Sequence, residues 1–286
     1  MSSTTQKCAD MLCHRNGVLK CSRCKGADPE TFYCSPECQK SDWRWHKKFC
    51  GKQAYVFDVE LLGSSNPKIT RKVAVPSWYT FKQFHFVLQY IFGPWQNCHL
   101  HTFSFLKELG NQRIRSDFSI RKEILLELCH EGDVEYVSQN WFDEREVKLS
   151  DVYEEDGRLR SKIMVNGNFA PLLYEYDFGD GWEHKITFVK SELARAARPL
   201  VKEAVGCGPV EDSGGIQGWN KVKEAFAATQ PTTEQLERRQ WAREVSGLEE
   251  RYNPLAEPDV IVMNYEGRWE NHEEGYREDE RRRTAF

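Results

Sequence analysis

Seven of the ten cysteines in this 286-residue chain lie within its first 50 positions, and His46 lies among them. Their order is Cys8-x4-Cys13-x7-Cys21-x2-Cys24-x9-Cys34-x3-Cys38-x7-His46-x3-Cys50. Eight ligands are what two tetrahedral metal sites require, and cysteines paired at short spacing are typical of zinc. A segment this short, with few aliphatic residues, cannot form a stable apolar core by itself. The sequence therefore predicts an N-terminal module that folds around two structural Zn²⁺ ions.

The last ligands of this run lie on a predicted helix. Ser35, Pro36 and Glu37 are typical of a helix start, because serine caps the first turn, proline fits the first helical position and an acid favours the positive end of the dipole. On a helix through residues 36–50, His46 and Cys50 are four positions apart and share one face.

The stretch CSRCKGADPETFYCSPECQKSDWRWHKKFC resembles a MYND-type zinc finger, with the likeness covering about residues 8–50. The resemblance implies a cross-brace, in which alternate ligand pairs share a metal. One zinc would be held by Cys8, Cys13, Cys34 and Cys38, and the other by Cys21, Cys24, His46 and Cys50. The first pair is separated by four residues where the family usually has two, so Cys8 departs most from the pattern and His14 is an alternative ligand. With every coordination position filled by protein, both metals would be structural.

Fingers of this family dock short proline-containing peptides, and the residues here that match the docking groove are Gln39 and Trp43. Trp43 and Trp45 are two positions apart on the predicted helix, so their rings point in different directions. One ring could pack on the zinc lobe while the other meets a partner, or both could form a small core. The resemblance implies a protein-interaction module.

The charge of the first segment argues against nucleic acid as its partner. Residues 1–51 carry nine Lys or Arg and five Asp or Glu, a formal charge of +4, whereas the whole chain carries −4. Seven thiolates and two Zn²⁺ ions would change the charge of the segment by about −3, which leaves it close to neutral. A basic surface for phosphate contacts is therefore not predicted.

No feature of the sequence predicts export or membrane insertion. The N-terminus, MSSTTQKCADMLC, lacks the apolar stretch of a signal peptide, and no run of 18 apolar residues could form a spanning helix. Clustered cysteines in a reducing compartment bind metal more often than they form disulfides. We expect a cytoplasmic or nuclear location without membrane contact.

The residues after Cys50 predict an α+β domain that follows the finger without a flexible linker. Alternating apolar residues predict strands, and apolar residues at steps of three and four predict helices. The predicted strands are 54–62, 71–76, 99–105, 172–178 and 182–189, and the predicted helices are 80–93, 118–130, 219–228 and 233–246. A hairpin followed by a helix and a strand, with more strands and helices after it, is typical of an α+β fold.

This second part also resembles a known family. The segments YIFGPWQNCHLHTFSF, YEYDFGDGWEHKITF and CGPVEDSGGIQGW, in that order, are similar to the plasmid pRi ORF-three-like family, which is related to transposon passenger proteins called TnpR-like. The likeness runs from about residue 53 to 265 and implies a fold, because no activity is assigned to the family. The family often has a second cysteine in the last motif where this chain has Ser213, so Cys207 alone does not indicate a metal or redox pair. We expect a finger at 1–51, this domain at 52–270 and a charged tail at 271–286, whose last residues, EDERRRTAF, are solvated.

The stretch LLYEYDFGDGWEHKITF, residues 172–188, predicts a β-hairpin with Asp180–Gly181 as a two-residue turn. This register sets Asp177 opposite His184 on one face and puts Tyr174 and Tyr176 on the other. A three-residue turn would instead oppose Asp177 and Glu183, which repel each other. Charge therefore favours the first register.

Asp177 and His184, with His99 and His101 from the preceding strand, are candidates for an acid–base or hydrolytic metal site. Histidines on apolar faces are more often core residues satisfied by a partner, and an Asp–His pair across a hairpin would supply one. We therefore assign no catalytic residue and favour structural pairing. The glycine-rich segment 207–220 is predicted to be a packing loop, because its two acids would repel a phosphate.

Together these patterns predict a zinc-binding adaptor, in which the finger recruits a proline-containing peptide and the second domain meets a further partner. The alternative is a metal-dependent hydrolase or nuclease in residues 53–265, delivered to its target by the finger. Direct DNA binding by the finger is a third class, which the near-neutral charge disfavours.

Overall fold

The computed structural model describes residues 6–93, 95–109, 124–130 and 140–283. The N-terminal finger contains two short antiparallel strands, β1 (Leu19–Lys20) and β2 (Phe32–Tyr33), and helix α1 (Pro36–His46). Ser35 caps α1 by accepting a hydrogen bond of 3.4 Å from the backbone N–H of Cys38, and Pro36 occupies the first turn. The helix start predicted from the sequence is therefore confirmed.

The finger joins the second part of the chain directly. Gly51 has a φ of +71°, a left-handed conformation that glycine adopts without steric cost, and a strand begins two residues later. Leu193 packs against the cysteine cluster of the finger, and the backbone N–H of Ala194 donates to Lys52 O at 2.8 Å. These contacts tie the finger to the edge of the following domain.

The second part is a mixed domain built on one large sheet. Its strands are β3 (Gln53–Leu61), β4 (Thr70–Pro76), β5 (His101–Leu106), β6 (Ile124–Cys129), β7 (Trp141–Asp143), β8 (Met164–Val165), β9 (Asn168–Phe169), β10 (Leu172–Tyr176), β11 (Trp182–Leu193) and β12 (Leu200–Val205). Within the described ranges, the large sheet has the order β12-β4-β3-β11-β10-β5-β6-β7, and β8 pairs only with β9. All neighbours in the large sheet are antiparallel except β6 and β7.

Helices pack on this sheet and complete the predicted α+β class. They are α2 (Phe81–Phe92), α3 (Ser150–Tyr153), α4 (Gly215–Ala227), α5 (Thr233–Ser246), α6 (Val260–Met263) and α7 (Glu266–Arg283). A capping box formed by Thr80 and Gln83 starts α2. The ring of Phe84 on α2 then lies 4.9 Å from that of Phe57 and stacks on that of Phe103, which fixes the helix over the centre of the sheet. No helix in the described residues is long and apolar enough to cross a membrane.

One predicted helix is wrong. Residues 124–129 of the segment 118–130 form strand β6, and residues 118–123 lie outside the described part of the chain. Leu126, Leu128 and Cys129 are fully buried. A short apolar run of this kind fits a buried strand as well as a buried helix, and periodicity alone does not distinguish them.

Part of the segment expected as a charged tail, residues 271–286, belongs to a helix that packs on α2. Helix α7 continues to Arg283, and the buried ring of Tyr276 stacks on Phe86 of α2 with 4.2 Å between centroids. One turn earlier, His272 Nε2 donates to Phe86 O at 3.0 Å. Trp269, His272 and Tyr276 recur at steps of three and four, so they form an apolar stripe within a segment that is otherwise highly charged.

Candidate zinc centres and a histidine–carboxylate cluster

Four cysteines of the finger form a first candidate metal centre: Cys8, Cys13, Cys34 and Cys38, whose sulfur atoms all lie within 4.8 Å of one another. The first two come from the loop before β1, the third follows β2 and the fourth lies on the first turn of α1. Cys34 Sγ is 3.5 Å from the sulfurs of both Cys13 and Cys38. The backbone N–H of Cys34 donates to Cys8 Sγ at 3.3 Å, a contact that favours a thiolate.

A second group of four consists of Cys21, Cys24, His46 and Cys50, all of them buried. The imidazole Nε2 of His46 lies 3.3 Å from Cys21 Sγ and 3.5 Å from Cys24 Sγ. The Cys21 and Cys50 sulfurs are 3.6 Å apart. His46 ends α1 and Cys50 follows one turn later, so the two ligands predicted to share a face do meet in one cluster.

Both clusters fit tetrahedral zinc. Zn–S bonds of about 2.3 Å and Zn–N bonds of about 2.0 Å place tetrahedral ligand atoms roughly 3.5–3.8 Å apart, and the measured separations run from 3.3 to 4.0 Å. A disulfide would bring two sulfurs to about 2.05 Å, and all seven cysteines are free. Zinc supplied to these sites would be structural, because protein atoms fill every position.

The electrostatics of the second cluster link metal binding to proton release. Burial and the neighbouring Cys21 and Cys24 thiols raise the pKa of Cys50 to about 12. A thiol in such surroundings keeps its proton unless a metal compensates the thiolate charge, so zinc binding would release protons. His46 directs its Nε2 toward the cluster, and burial lowers the pKa of its ring, which favours the neutral form that binds metal.

The two groups contain the same residues that the MYND resemblance implies for each zinc. Cys8 lies in the first group despite its wider spacing, whereas His14 is exposed and belongs to neither. The alternative ligand that the sequence suggested therefore lies outside both groups.

The predicted peptide-docking residues lie on α1, beside the second cluster. Trp43 is 43% exposed, and Gln39 is half-buried one turn earlier on the same face. The Trp43 ring lies 5.9 Å from the ring of His46. Trp45 is 45% exposed and has Lys48 Nζ 4.5 Å above its ring. Neither tryptophan forms a buried mini-core.

In the second domain, the predicted hairpin exists but its register is wrong. Tyr174 pairs with His184, Glu175 with Glu183 and Tyr176 with Trp182, so five residues rather than two separate the strands. Asp177 has a φ of +55°, and its Oδ1 accepts backbone hydrogen bonds from Gly179 at 2.8 Å and Asp180 at 3.3 Å.

The cause is the conformation of Asp177 itself. An aspartate can adopt the left-handed region and satisfy the following backbone N–H groups, so the turn begins at Asp177 instead of at Asp180. The expected Asp177–His184 pair is lost. Tyr174 and Tyr176 lie on the same buried face as His184, not on the opposite face.

The four candidates for an acid–base site do not assemble. His184 is fully buried beside the rings of Phe92 and Tyr174, and burial lowers its pKa to about 3. His101 Nε2 lies 2.8 Å from Glu144 Oε2, and its ring stacks on His85 with 3.6 Å between centroids. Both histidines are core residues, as the structural reading favoured.

Only His99 and Asp177 come together, and they do so with residues that sequence reasoning did not select. His99 Nε2 lies 3.8 Å from Asp177 Oδ2 and 3.3 Å from Asp212 Oδ1. Cys98, His99 and Glu211 also have ligand atoms within 4.8 Å of one another. These residues form the histidine–carboxylate cluster: Cys98, His99, Asp177, Glu211 and Asp212.

This cluster lies where the three family motifs meet. Trp95, in the first motif, stacks on Tyr176 and Trp182 of the second and donates from Nε1 to Pro209 O of the third at 2.9 Å. Glu211 then accepts hydrogen bonds from Tyr176 OH and from the backbone N–H of Gln96. The presence of all three motifs in one chain was the sequence signal for this cluster. The sequence does not show which residues of the motifs contact one another, so it could not identify the members of the cluster.

Comparison with known families supports both resemblances. The family model described as plasmid pRiA4b ORF-3-like protein matches residues 53–256, and the MYND finger model matches residues 6–50. An uncharacterized protein, y4hQ, of Sinorhizobium fredii is 32% identical over 162 residues, which is 56% of this chain and 67% of y4hQ.

Two other comparisons cover separate parts of the chain. The N-lysine methyltransferase SMYD2 of Sus scrofa is 36% identical over 66 residues, which cover 23% of this chain but only 14% of that enzyme. A crystal structure of a protein of unknown function, MM3350 from Methanosarcina mazei Go1, aligns with a TM-score of 0.53 and 22% identity over 75% of this chain and 99% of its own. The last comparison establishes a shared fold.

Proposed function

The chain belongs to the plasmid pRiA4b ORF-3-like protein family and carries a MYND finger before that domain, and we propose that it is a zinc-dependent adaptor whose finger docks short proline-containing peptides. The similarity to SMYD2 is confined to a small part of that enzyme and does not indicate methyltransferase activity. The second domain would bind a further partner and so bring that partner close to the peptide docked on the finger.

The observation that carries this proposal is the exposed aromatic face of α1. Trp43 presents a large ring to solvent, and Gln39 offers an amide one turn away. Proline-rich segments adopt an extended helix with free backbone carbonyls, and they bind where an aromatic ring and a hydrogen-bond donor lie side by side. The contact between Trp43 and His46 anchors this face to the zinc cluster, so the ring is held in place before a peptide arrives.

A peptide array tests this directly with the full-length chain. Sequences with and without proline are screened, and the strongest ligand is then measured by calorimetry. Truncation of a buried aromatic anchor at an interface typically costs about 2 kcal/mol, so Trp43→Ala should weaken binding roughly 30-fold. Gln39→Ala should have a smaller effect in the same direction.

Trp45→Ala is the matched control, because Trp45 has nearly the same exposure on the same helix. Equal losses in Trp43→Ala and Trp45→Ala, or equal binding by peptides without proline, would contradict the proposal. Peptide affinity should also change little between about 50 and 200 mM salt, whereas phosphate contacts would give a steep dependence.

We further propose that two zinc ions occupy the finger. Metal analysis should find two per chain in these sites, and Cys24→Ser and Cys38→Ser should each remove one. Loss of both ions from either variant would indicate that the two sites fold as one cooperative unit.

A further inference from the structure

We propose that His99, Asp177 and Asp212 form a binding site for a divalent transition-metal ion in the second domain, separate from the zinc centres of the finger. The three residues come from three loops: the segment before β5, the turn of the β10–β11 hairpin and the loop between β12 and α4. The inference rests on these loops alone and is independent of peptide docking by the finger.

The donor atoms have the spacing of a metal site. Imidazole nitrogen and carboxylate oxygen bind such ions at about 2.0–2.2 Å, which places neighbouring ligand atoms roughly 3.0–3.5 Å apart. His99 Nε2 lies 3.3 Å from Asp212 Oδ1 and 3.8 Å from Asp177 Oδ2, and all three ligand atoms lie within 4.8 Å of one another. A small contraction around an ion would complete the geometry.

The His99 ring provides a second observation. Its Nε2 is buried and has no hydrogen-bond partner among the described residues, although two carboxylate oxygens lie close to it. A histidine that served only as a structural partner would align its N–H with one of these oxygens, because a buried polar atom left unsatisfied is costly. An ion held among the three atoms satisfies the nitrogen and both carboxylates together.

The carboxylates are held in place by their own loops. Asp177 Oδ1 accepts the backbone N–H groups of its turn, which leaves Oδ2 directed at His99. Asp177 and Asp212 both have left-handed backbones, with φ of +55° and +58°. The backbone N–H of Gly214 donates to Asp180 Oδ2 at 3.1 Å and so links the two loops that carry them.

The neighbouring residues indicate which class of ion would bind. Cys98 and Glu211 lie beside His99 and add a thiol and a further carboxylate to the surroundings. An imidazole with carboxylates suits Mn²⁺, Fe²⁺ or Zn²⁺, whereas Mg²⁺ and Ca²⁺ prefer sites made only of oxygen. The side chain of His99 is 31% exposed and that of Asp212 is 59% exposed, so an ion could enter and would keep water in its free positions.

Mn²⁺ is the probe of choice, because it is the weakest binder of the divalent series and does not displace zinc from thiolate sites. The full-length, zinc-loaded chain is titrated with Mn²⁺ by calorimetry and by the loss of the free Mn²⁺ electron-paramagnetic-resonance signal. We expect one Mn²⁺ per chain. If the chain is isolated with this site already filled, metal analysis should instead find a third ion.

Asp212→Asn should weaken Mn²⁺ binding at least tenfold or remove the third ion. Because the Asp212 side chain is exposed, this substitution should leave the fold intact. Asp177→Asn should do the same, since its amide oxygen can still accept the backbone N–H groups of the turn. Asp156→Asn is the control, because it removes one exposed carboxylate from a different loop. Urea unfolding of each variant shows whether the domain is intact.

The proposal is overturned if the intact chain contains no third ion and takes up no Mn²⁺. It is also overturned if Asp212→Asn and Asp177→Asn bind Mn²⁺ as tightly as Asp156→Asn does. Because the readout is metal content, failure here leaves the adaptor proposal untouched.

Discussion

The finger and the sheet domain of this chain are each stabilised internally by a different kind of buried side chain. The buried apolar cluster of the finger consists of Cys8, Cys21, Cys24, Ala27, Tyr33, Cys38 and Cys50. The core of the sheet domain is instead built from large side chains. The largest fully buried ones include Trp182, Trp219, Tyr174, Phe57 and Phe84.

This difference indicates the source of the stability of each region. Most of the buried finger residues are potential metal ligands, so the finger has little apolar area left to oppose the entropy of an ordered chain. The sheet domain buries aromatic rings on both sides of α2, and its folding free energy comes from removing that surface from water. Metal should therefore control one region and hardly affect the other.

Zinc removal should have the largest effect and should be confined to the finger. Structural zinc contributes on the order of 10 kcal/mol to the folding of such modules, so a strong chelator should unfold residues 6–50. Hydrogen exchange should then show lost protection at β1 and β2, with protection retained at β3 and β4. Loss of protection in both regions at once would show that the contact through Leu193 makes them one folding unit.

Acid should destabilise the sheet domain through its buried histidines. Burial lowers the pKa of His184 to about 3 and that of His272 to about 4, against an ordinary histidine value of about 6.5. The unfolded chain therefore binds more protons than the folded one between these values, so stability is full above pH 6.5 and falls as the pH drops toward 3. His184 alone should cost about 2 kcal/mol between pH 6.5 and pH 5.

Urea unfolding at several pH values, followed by aromatic circular dichroism, measures this slope. His184→Phe removes the titrating group and should flatten the curve, whatever it does to stability at neutral pH. His272→Gln should also flatten the dependence of stability on pH, but by less than His184→Phe below pH 4, because folded His272 itself becomes protonated near its pKa of about 4. An unchanged slope in His184→Phe would contradict the assignment of this residue to the dry core.

The helix caps give the smallest effects and compare the two regions directly. Ser35 and Thr80 cap α1 and α2 through the same type of hydrogen bond, 3.4 and 3.2 Å long. Loss of a cap typically costs about 1 kcal/mol. Thr80→Ala should lower the urea stability of the sheet domain by this amount and leave zinc affinity unchanged.

Ser35→Ala should weaken zinc binding and leave the urea stability of the sheet domain unchanged, because α1 carries Cys38 and His46 and its folding is coupled to the metal. Competition with a chelating dye should show zinc affinity reduced roughly fivefold. If Ser35→Ala instead weakens the sheet domain in urea, the separation of the two regions is incomplete.

The two kinds of site also differ in how far sequence reasoning reaches. The finger ligands lie in one 43-residue stretch whose spacing is itself the pattern of a known module. The histidine–carboxylate cluster draws His99, Asp177 and Asp212 from segments far apart along the chain. The sequence indicated His99 and Asp177 as candidates for a metal or acid–base site, but grouped them with His101 and His184. Asp212 was read only as a charge that repels phosphate, because nothing near it in the sequence indicates its contact with His99.

Sequence signals predicted the helices correctly where residues close together in the chain determine the structure. The helix predicted at 233–246 has the same bounds in the structure, and the helix predicted at 80–93 spans Phe81–Phe92. Residues 124–129 and the β10–β11 register were wrong for a common reason. Each segment allows two local conformations that the sequence pattern does not distinguish: the apolar run fits a strand or a helix, and the hairpin turn can begin at Asp177 or at Asp180.

The sequence by itself determined that this chain is a cysteine-rich zinc finger followed by an α+β domain, because ligand spacing, caps and apolar periodicity act over a few residues. The tertiary structure decided which face of the hairpin is buried, that α7 packs on α2, and that His99 meets Asp177 and Asp212. These features depend on contacts between residues distant in sequence, whose partners are set by the order and twist of the strands.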